Sequence, residues 1–188
     1  MKKNLLAALM FGAALVSGSA FATDGTINMT GSLTASTCKI NGVAQNGTSV
    51  TTLTFPLGTY STSSFATAGT VGPMITNSTS GQVILSSCPV NQAVTLVISP
   101  GTAAVDATNN AFQNTTTGGA TNVEAQILNA ATGTVLVPTG TGAATSGISS
   151  NTGSGGSTTF SLGARFIATG QATAGQFTSN ATFNILYQ

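Results

Sequence analysis

Few residues in this chain could carry out chemistry, and the most reactive of them are two cysteines, Cys38 and Cys88. The chain contains no histidine and only three acidic residues, Asp24, Asp106 and Glu124. Histidine is the side chain that most often moves protons near neutral pH, and a protein without it has little means of general acid–base catalysis. Metal sites need clustered histidine, cysteine or carboxylate ligands, and none are clustered here. The sequence therefore predicts a protein that is not an enzyme and that uses neither a metal nor another cofactor.

The N-terminus has the pattern of a secretory signal peptide. Lys2 and Lys3 precede an apolar run over residues 5–16, and the small-residue stretch SGSAFA follows it. The apolar run is too short for a membrane span, which needs roughly 20 residues. We therefore expect cleavage after Ala22.

Export places the two cysteines in an oxidising compartment, where a disulfide between Cys38 and Cys88 is the favoured interpretation. In the chain-entropy model such a bond stabilises a fold by about 4 kcal/mol. Two reactive thiols are the alternative.

The mature chain carries almost no charge. Lys39 and Arg165 stand against the three carboxylates, which gives a formal charge of 2 − 3 = −1. This balance excludes a basic patch for nucleic acid, and nothing in the inventory indicates a small-molecule substrate. Arg165 is an isolated charge in its part of the sequence. It is either a solvated side chain or the partner of a carboxylate at a contact between subunits.

Short runs rich in threonine, valine, isoleucine and phenylalanine alternate with turn residues and predict strands. A low-complexity stretch over residues 139–157 predicts a surface loop or hairpin tip. The expected fold is one all-β sandwich of about seven or eight strands. The predicted strands cover residues 26–34, 51–55, 82–87, 93–99, 123–128, 134–137, 158–168 and 177–187.

The predicted C-terminal strand has the clearest alternation. Apolar side chains occupy one face and polar ones the other, except for Leu186. A similar alternation runs through residues 160–168, so we expect these two segments to be consecutive antiparallel strands. The apolar face consists of Phe177, Ala181, Phe183, Ile185 and Tyr187.

The first mature segment alternates as well. Ile27, Met29 and Leu33 share one face, with Gly31 between them. Periodicity alone is compatible with an ordinary first strand of the sandwich, because it does not say which sheet the segment joins.

Several motifs resemble the subunits of chaperone–usher pili, and in particular the major pilin-like family of type 1 fimbriae. They are the opening GTINMTGSLTASTCKI, the second cysteine in VILSSCPV, the stretch ARFIATG and the ending ATFNILYQ with its penultimate Tyr187. Gly175 also stands where that family has a glycine in its C-terminal motif. The resemblance extends over essentially the whole mature chain.

This resemblance implies an immunoglobulin-like pilin sandwich that lacks its final strand and is completed by donor-strand exchange. It divides the chain into a signal peptide (residues 1–22), a donor-strand extension (residues 23–33) and a pilin domain (residues 34–188). The implied donor residues are Ile27, Met29, Gly31 and Leu33. The implied acceptor groove and chaperone-binding residues are Gly175, Phe177, Ala181, Phe183, Ile185, Tyr187 and Gln188.

The same resemblance implies the partners and the location. The partners are neighbouring pilin subunits, a periplasmic chaperone and an outer-membrane usher, and the chain reaches a surface fimbrium through the periplasm. A short donor extension is closer to minor adaptor pilins, whereas the hydroxyl-rich body suits a rod subunit. A monomeric secreted carbohydrate-binding sandwich is an alternative from another class, although it needs an exposed aromatic platform and the chain has no tryptophan and two tyrosines.

Overall fold

The computed structural model describes residues 38–44, 52–78, 81–139 and 147–188. All of them belong to one compact unit, Ala35–Gln188. The predicted signal peptide and the donor-strand extension lie outside the described residues. So do the four predicted donor residues, which are Ile27, Met29, Gly31 and Leu33.

The described residues form eleven strands and one short 3-10 helix, Thr62–Phe65. Within these residues no helix is long and apolar enough to cross a membrane. The strands are β1 Lys39–Ile40, β2 Val43–Ala44, β3 Ile75–Thr76, β4 Gln82–Ser86, β5 Ala93–Pro100, β6 Val105–Asp106, β7 Ala111–Phe112, β8 Val123–Asn129, β9 Ile148–Asn151, β10 Thr158–Ala168 and β11 Ala181–Tyr187.

The larger sheet is organised around β10. Its strand order is β2–β1–β4–β10–β8–β7–β6, and β3 also pairs with β10. Residues 158–161 of β10 pair antiparallel with β4, and residues 162–168 pair antiparallel with β8. This long strand therefore joins the two halves of the sheet.

The smaller sheet has the order β11–β5–β9. β11 runs antiparallel to β5, with Ala181 opposite Pro100 and Tyr187 opposite Val94. The other edge of β5 pairs with β9. β11 is therefore an edge strand of this sheet.

The main core contains the inward-facing residues of both sheets, which confirms the predicted all-β sandwich. In β4 the buried side chains alternate, as the pleat requires, and in β5 the alternate residues Val94, Leu96 and Ile98 are buried. Burying one such apolar side chain contributes roughly 1.5–3 kcal/mol. The most deeply buried members are Val83 and Leu85 of β4, Val94, Leu96 and Ile98 of β5, Phe112 of β7 and Phe160 and Leu162 of β10.

The predicted disulfide between Cys38 and Cys88 is confirmed. Cys38 is fully buried and precedes β1, and Cys88 follows β4 closely in the chain. Because Lys39 pairs with Ser86, the bond lies at the end of a ladder formed by β1 and β4. It ties the start of the described fold to the core strand β4.

An Asn-Gly turn that the sequence analysis did not use joins β1 to β2. Asn41 and Gly42 have φ angles of 49° and 80°, as a type I′ hairpin turn requires. The Asn41 side chain accepts a hydrogen bond from Ile84 N at 2.6 Å and donates one to Gln82 O at 3.0 Å. The side chain therefore continues the ladder with β4 beyond the short strand β1.

Two predictions about the C-terminal strand were wrong. The strand begins at Ala181 and not at Phe177, because its partner β5 ends at Pro100, which has no N–H to donate. β10 and β11 also lie in different sheets, although Phe160 and Phe183 belong to the same core cluster. Alternation identifies the buried face of a strand but not the strand with which it pairs.

Three further segments differ from their predictions. The part of the predicted strand 51–55 that is described belongs to neither sheet. The predicted strand 134–137 is reduced to a bridge between Val135 and Leu128. The stretch 139–157, predicted as a loop, contains β9, because Ile148–Asn151 pairs with the free edge of β5.

Arg165 has a partner within its own chain. It is half-buried on β10, and its Nε donates a hydrogen bond to Gln126 Oε1 at 2.8 Å. Gln126 Nε2 in turn donates to Asn109 O at 2.7 Å. These contacts fix the guanidinium group against β8.

Glu124 of β8 is a buried carboxyl group with a strongly shifted pKa. It is 7% exposed, and its Oε2 has no hydrogen-bond partner within the described part of the chain. Burial and the nearby Asp106 carboxylate raise the pKa of Glu124 from 4.5 to about 7. Burial also acts on Asp106, but hydrogen bonds from Thr108 and Asn109 outweigh it and lower the pKa of Asp106.

These shifts predict that the protein loses stability as the pH rises from 4.5 through 7. Over this window the unfolded chain releases the Glu124 proton while the folded protein keeps it, so the free energy of unfolding falls. Glu124→Gln should remove this slope and stabilise the protein at neutral pH by on the order of 1–3 kcal/mol. Urea unfolding at a series of pH values measures both effects. Asp106→Asn serves as the control and should keep part of the slope, because burial is the larger cause. An unchanged slope in Glu124→Gln would contradict the assignment.

Candidate functional site

One edge of β11 has no partner strand among the described residues. β11 pairs with β5 along its whole length, and the sheet order places no described strand on its other side. In an antiparallel strand, alternate N–H and C=O groups point to each edge. β11 therefore presents a row of backbone donors and acceptors that another extended chain could bind.

The inward face of β11 is apolar and incompletely covered. Ala181, Phe183 and Ile185 pack against the main core, yet each is half-buried. Core-facing residues of an interior strand are normally buried, as Leu96 and Ile98 are in the neighbouring β5. The inward face of β11 consequently lacks cover from the described part of the chain.

A segment at residues 52–60, which belongs to no strand, lines the same cavity as β11. Its apolar residues Leu53, Phe55 and Leu57 are half-buried, and they alternate with exposed Thr52, Thr54 and Pro56. Leu53 and Phe55 pack against the main core. The segment has the side-chain period of a strand without joining either sheet.

An open apolar groove separates this segment from β11. Its volume is about 1270 Å³, and its walls are residues 52–62 on one side and residues 172–187 on the other. Ile98, Phe112 and Leu162 contribute to its floor. Pockets for small ligands usually measure about 300–1,000 Å³. The larger size and the two strand-like walls fit an extended polypeptide better than a compact ligand.

Four aromatic rings form a cluster that contributes to the groove. Phe166 contacts Tyr60, Phe65 and Phe177 edge to face, at centroid distances of 6.0, 6.0 and 4.9 Å. Tyr60 also contacts Phe65 at 5.7 Å. Such perpendicular pairs each contribute about 0.5–1.5 kcal/mol beyond the area they bury. The cluster therefore gives this part of the groove a fixed shape.

The chemistry of the groove is that of an apolar binding surface. The described residues that line it include the hydroxyl groups of Tyr60 and Tyr187, and none of these described residues is acidic or basic. Among the described residues, no group of three or more histidine, cysteine or acidic side chains could hold a metal ion. Binding here would depend on apolar burial and backbone hydrogen bonds.

The structure brings most of the predicted acceptor residues together. Gln188 is the exception, because it is not among the lining residues and its backbone N–H donates to Ala93 O at 3.0 Å. The opposite wall at residues 52–60 was not predicted as part of a site, although the alternation in LTFPL was a usable signal. The predicted residues that line the groove are Gly175, Phe177, Ala181, Phe183, Ile185 and Tyr187.

Gly175 occupies a position where a side chain does not fit. A Cβ at this residue would overlap the backbone N of Ala120 and lie 2.6 Å from the carbonyl C of Gly119. The glycine therefore allows the wall of the groove to pack directly against the backbone of residues 119–120.

Gly175→Ala should destabilise the protein by about 1–3 kcal/mol, because two backbone segments would have to separate. Gly155→Ala is a matched control, since a Cβ there meets its nearest neighbour, Ser157 Oγ, at 3.9 Å. Midpoints of urea unfolding give the comparison. Equal midpoints for the two variants would show that the close approach at Gly175 has no energetic role.

Comparison with known proteins finds a family model and a relative that match most of the chain. The model of the fimbrial protein family matches residues 27–188. The F17 fimbrial protein of Escherichia coli is 32% identical over 181 residues, which cover 94% of each chain.

Two solved structures share the fold. A chain from the structure of a chaperone–usher pilus aligns with a TM-score of 0.54 and 18% identity, covering 87% of this chain and 95% of that chain. The P pilus rod subunit PapA aligns with a TM-score of 0.54 and 20% identity, covering 80% of this chain and 99% of that chain. The predicted immunoglobulin-like pilin fold is therefore confirmed.

Proposed function

The chain belongs to the fimbrial protein family as a structural subunit of a chaperone–usher pilus, and we propose that it polymerises by donor-strand complementation. In this proposal residues 23–33 of one subunit occupy the groove of the next. The observation that carries the proposal is the free edge of β11 above an apolar groove. Repetition of this contact builds a fibre on the cell surface.

The donor segment matches the chemistry of the groove. Ile27, Met29 and Leu33 share one face of an alternating segment, as the groove floor requires of an inserted strand. Gly31 is the small residue within that face. The segment also has a backbone that can pair with the free edge of β11.

The free energies of burial and hydrogen bonding are sufficient for a long-lived contact between neighbouring subunits. Each apolar donor side chain contributes roughly 1.5–3 kcal/mol on burial, and each added backbone hydrogen bond contributes about 0.5–1.5 kcal/mol. The measured affinity is what remains of these favourable contributions after the entropy cost of ordering the donor segment is subtracted. Several such contacts made together still give slow dissociation.

An open groove also requires a temporary occupant before assembly. Exposed ladder groups and apolar surface promote aggregation. We therefore include a periplasmic chaperone, which supplies a strand and holds the C-terminal Gln188, and an outer-membrane usher, where the next donor replaces that strand. The backbone of Gln188 already lies in line with the ladder, since its N–H donates to Ala93 O.

A carbohydrate-binding role has less support from the aromatic residues. Lectin platforms use several exposed rings together, whereas the two tyrosines, Tyr60 and Tyr187, are 37% and 40% exposed and both line the apolar groove. Tyr60 is also packed edge to face against Phe65 and Phe166. Rod and adaptor roles share the same groove, and the abundance of the chain in sheared fibres distinguishes them.

The donor assignment predicts the behaviour of two charge substitutions. Ile27→Asp or Met29→Asp would place a carboxylate in an apolar groove, so each should block incorporation into fibres while leaving the chaperone-bound subunit intact. Electron microscopy and periplasmic co-purification measure the two results. Asn28→Asp, on the opposite face of the segment, is the control and should assemble. Normal pili from the Ile27 and Met29 variants would refute the donor assignment.

The acceptor assignment predicts the effect of a change in β11. Phe183→Ser removes a half-buried ring from the groove and should lower the amount of chaperone-bound subunit in the periplasm. Thr182→Ser changes the neighbouring exposed residue, keeps its hydroxyl group and should have little effect. Quantitative immunoblots of the purified chaperone complex compare them. Equal recovery of complex from both variants would count against the groove.

A further inference from the structure

The wall of the groove that precedes β11 is not held by a sheet. Residues 175–180 line the groove, but they lie beyond Pro100, where the ladder between β5 and β11 ends. They dock instead on residues 113–120, which we call the docking loop. In a wall that is fixed by loop contacts, side chains must supply some of the hydrogen bonds that the backbone would supply in a sheet.

Asn114 makes four hydrogen bonds at the centre of this contact. Its Oδ1 accepts from Thr116 N and from Thr178 N, both at 3.0 Å. Its Nδ2 donates to Ala120 O at 2.9 Å and to Gln176 O at 2.8 Å. The side-chain amide therefore bonds the docking loop to itself and to the groove wall, with every donor in use.

Neighbouring contacts make the docking close. Thr115 donates to Thr178 O from its backbone N at 2.7 Å and from its hydroxyl at 2.9 Å. Ala120 N donates to Gln176 O at 2.9 Å. A Cβ at Gly119 would overlap Gln176 O, so the two backbones approach as closely as glycine allows. Residues 176 and 178 are therefore held on both sides of Phe177.

Phe177 connects this contact to the groove. Its ring packs perpendicular to Phe166 at 4.9 Å, within the aromatic cluster that lines the groove. Asn114 itself is not a lining residue. Asn114 can therefore act on an inserted strand only through the lining residues that it holds, which are residues 176–178 with the Phe177 ring and Ala120.

We propose that Asn114 is a positioning residue of the acceptor groove, which holds the wall before β11 in the geometry that accepts one end of an incoming extended chain. This inference rests on the proposed donor-strand function. It adds that the groove has a part fixed by a sheet and a part fixed by loop contacts, with the side-chain amide of Asn114 at their centre.

The test measures the binding of donor peptides to the mature chain, residues 23–188. The chain carries Ile27→Asp and Met29→Asp so that its own donor segment does not compete. Fluorescence anisotropy gives dissociation constants for three labelled peptides, with the sequences of residues 23–33, 23–30 and 26–33. Asn114→Ala should weaken the full peptide by about tenfold. One of the two shortened peptides, the one that does not reach the wall before β11, should bind Asn114→Ala as well as it binds the parent chain.

A control variant separates positioning from loss of stability. Asn151 of β9 also makes two hydrogen bonds, to Asn91 O at 3.1 Å and from Gly153 N at 2.7 Å, and it does not line the groove. Asn151→Ala should leave the affinity of all three peptides unchanged. Asn114→Asp is a second variant, which keeps the acceptor oxygen for Thr178 and loses the donor to Gln176. It should show the same dependence on peptide length.

Amide hydrogen exchange gives a second measurement that does not need the peptide. Thr178 N is the group bound by Asn114 Oδ1, so its exchange should accelerate in Asn114→Ala while exchange within β11 stays slow. Equal loss of affinity for both shortened peptides, or unchanged exchange at Thr178, would overturn the positioning role. If the parent chain bound none of the peptides, the donor-strand function itself would fail.

Discussion

The free edge of β11 is the constraint on which the rest of the structure depends. A strand has two edges, and β5 satisfies one of them along the full length of β11. No strand in the described part of the chain pairs with the opposite edge, and the side chains below it are half-buried against the core. An added strand would satisfy both needs at once, because its backbone completes the ladder while its alternate side chains fill the groove.

A fold with such a gap needs stability from elsewhere, and the larger sheet supplies it. β10 pairs with β4 along its first four residues and with β8 along the other seven, so the floor residues Phe112 and Leu162 belong to a continuous sheet. The Cys38–Cys88 disulfide fastens β1 to β4 at one end of that sheet. The two walls carry few strand pairs by comparison, since residues 52–60 join no sheet and residues 175–180 dock on a loop. The strand pairing of the larger sheet therefore does not depend on the walls of the groove.

The sequence predicted those parts of the fold that depend on local pattern. The strand at residues 158–168 was predicted with its observed bounds, because eleven residues of strand-forming types lie between turn residues. The inward face of β11 was predicted equally well from its period of two. The start of β11 was not, since it depends on Pro100 in a strand some eighty residues earlier. β9 was missed for a related reason: Ile148–Asn151 becomes a strand only because the edge of β5 is available.

The candidate site likewise has one part that the sequence predicts and another part that depends on contacts between distant segments. The predicted acceptor residues Ala181, Phe183, Ile185 and Tyr187 reach the groove because alternation within β11 fixes their direction. The wall at residues 52–60 and the role of Asn114 arise from contacts between distant segments, such as Asn114 with Gln176. Polar residues in a turn-rich stretch give no local sign of which backbone they bind, so this part of the site follows from the structure alone.

The charged side chain of β8 lies on the face of the sheet that points away from the groove. Along β8 the side chains of Val123, Ala125 and Ile127 line the groove, whereas Glu124 between them belongs to the opposite face of the sheet. The titration of Glu124 near pH 7 therefore changes the stability of the subunit without placing a charge in the groove. Since the lining residues that the structure describes include no acidic or basic side chain, salt has little charge to screen there. A joint formed in this groove relies on apolar burial and ladder hydrogen bonds, both of which persist over a wide range of ionic strength, as a fibre exposed at a cell surface requires.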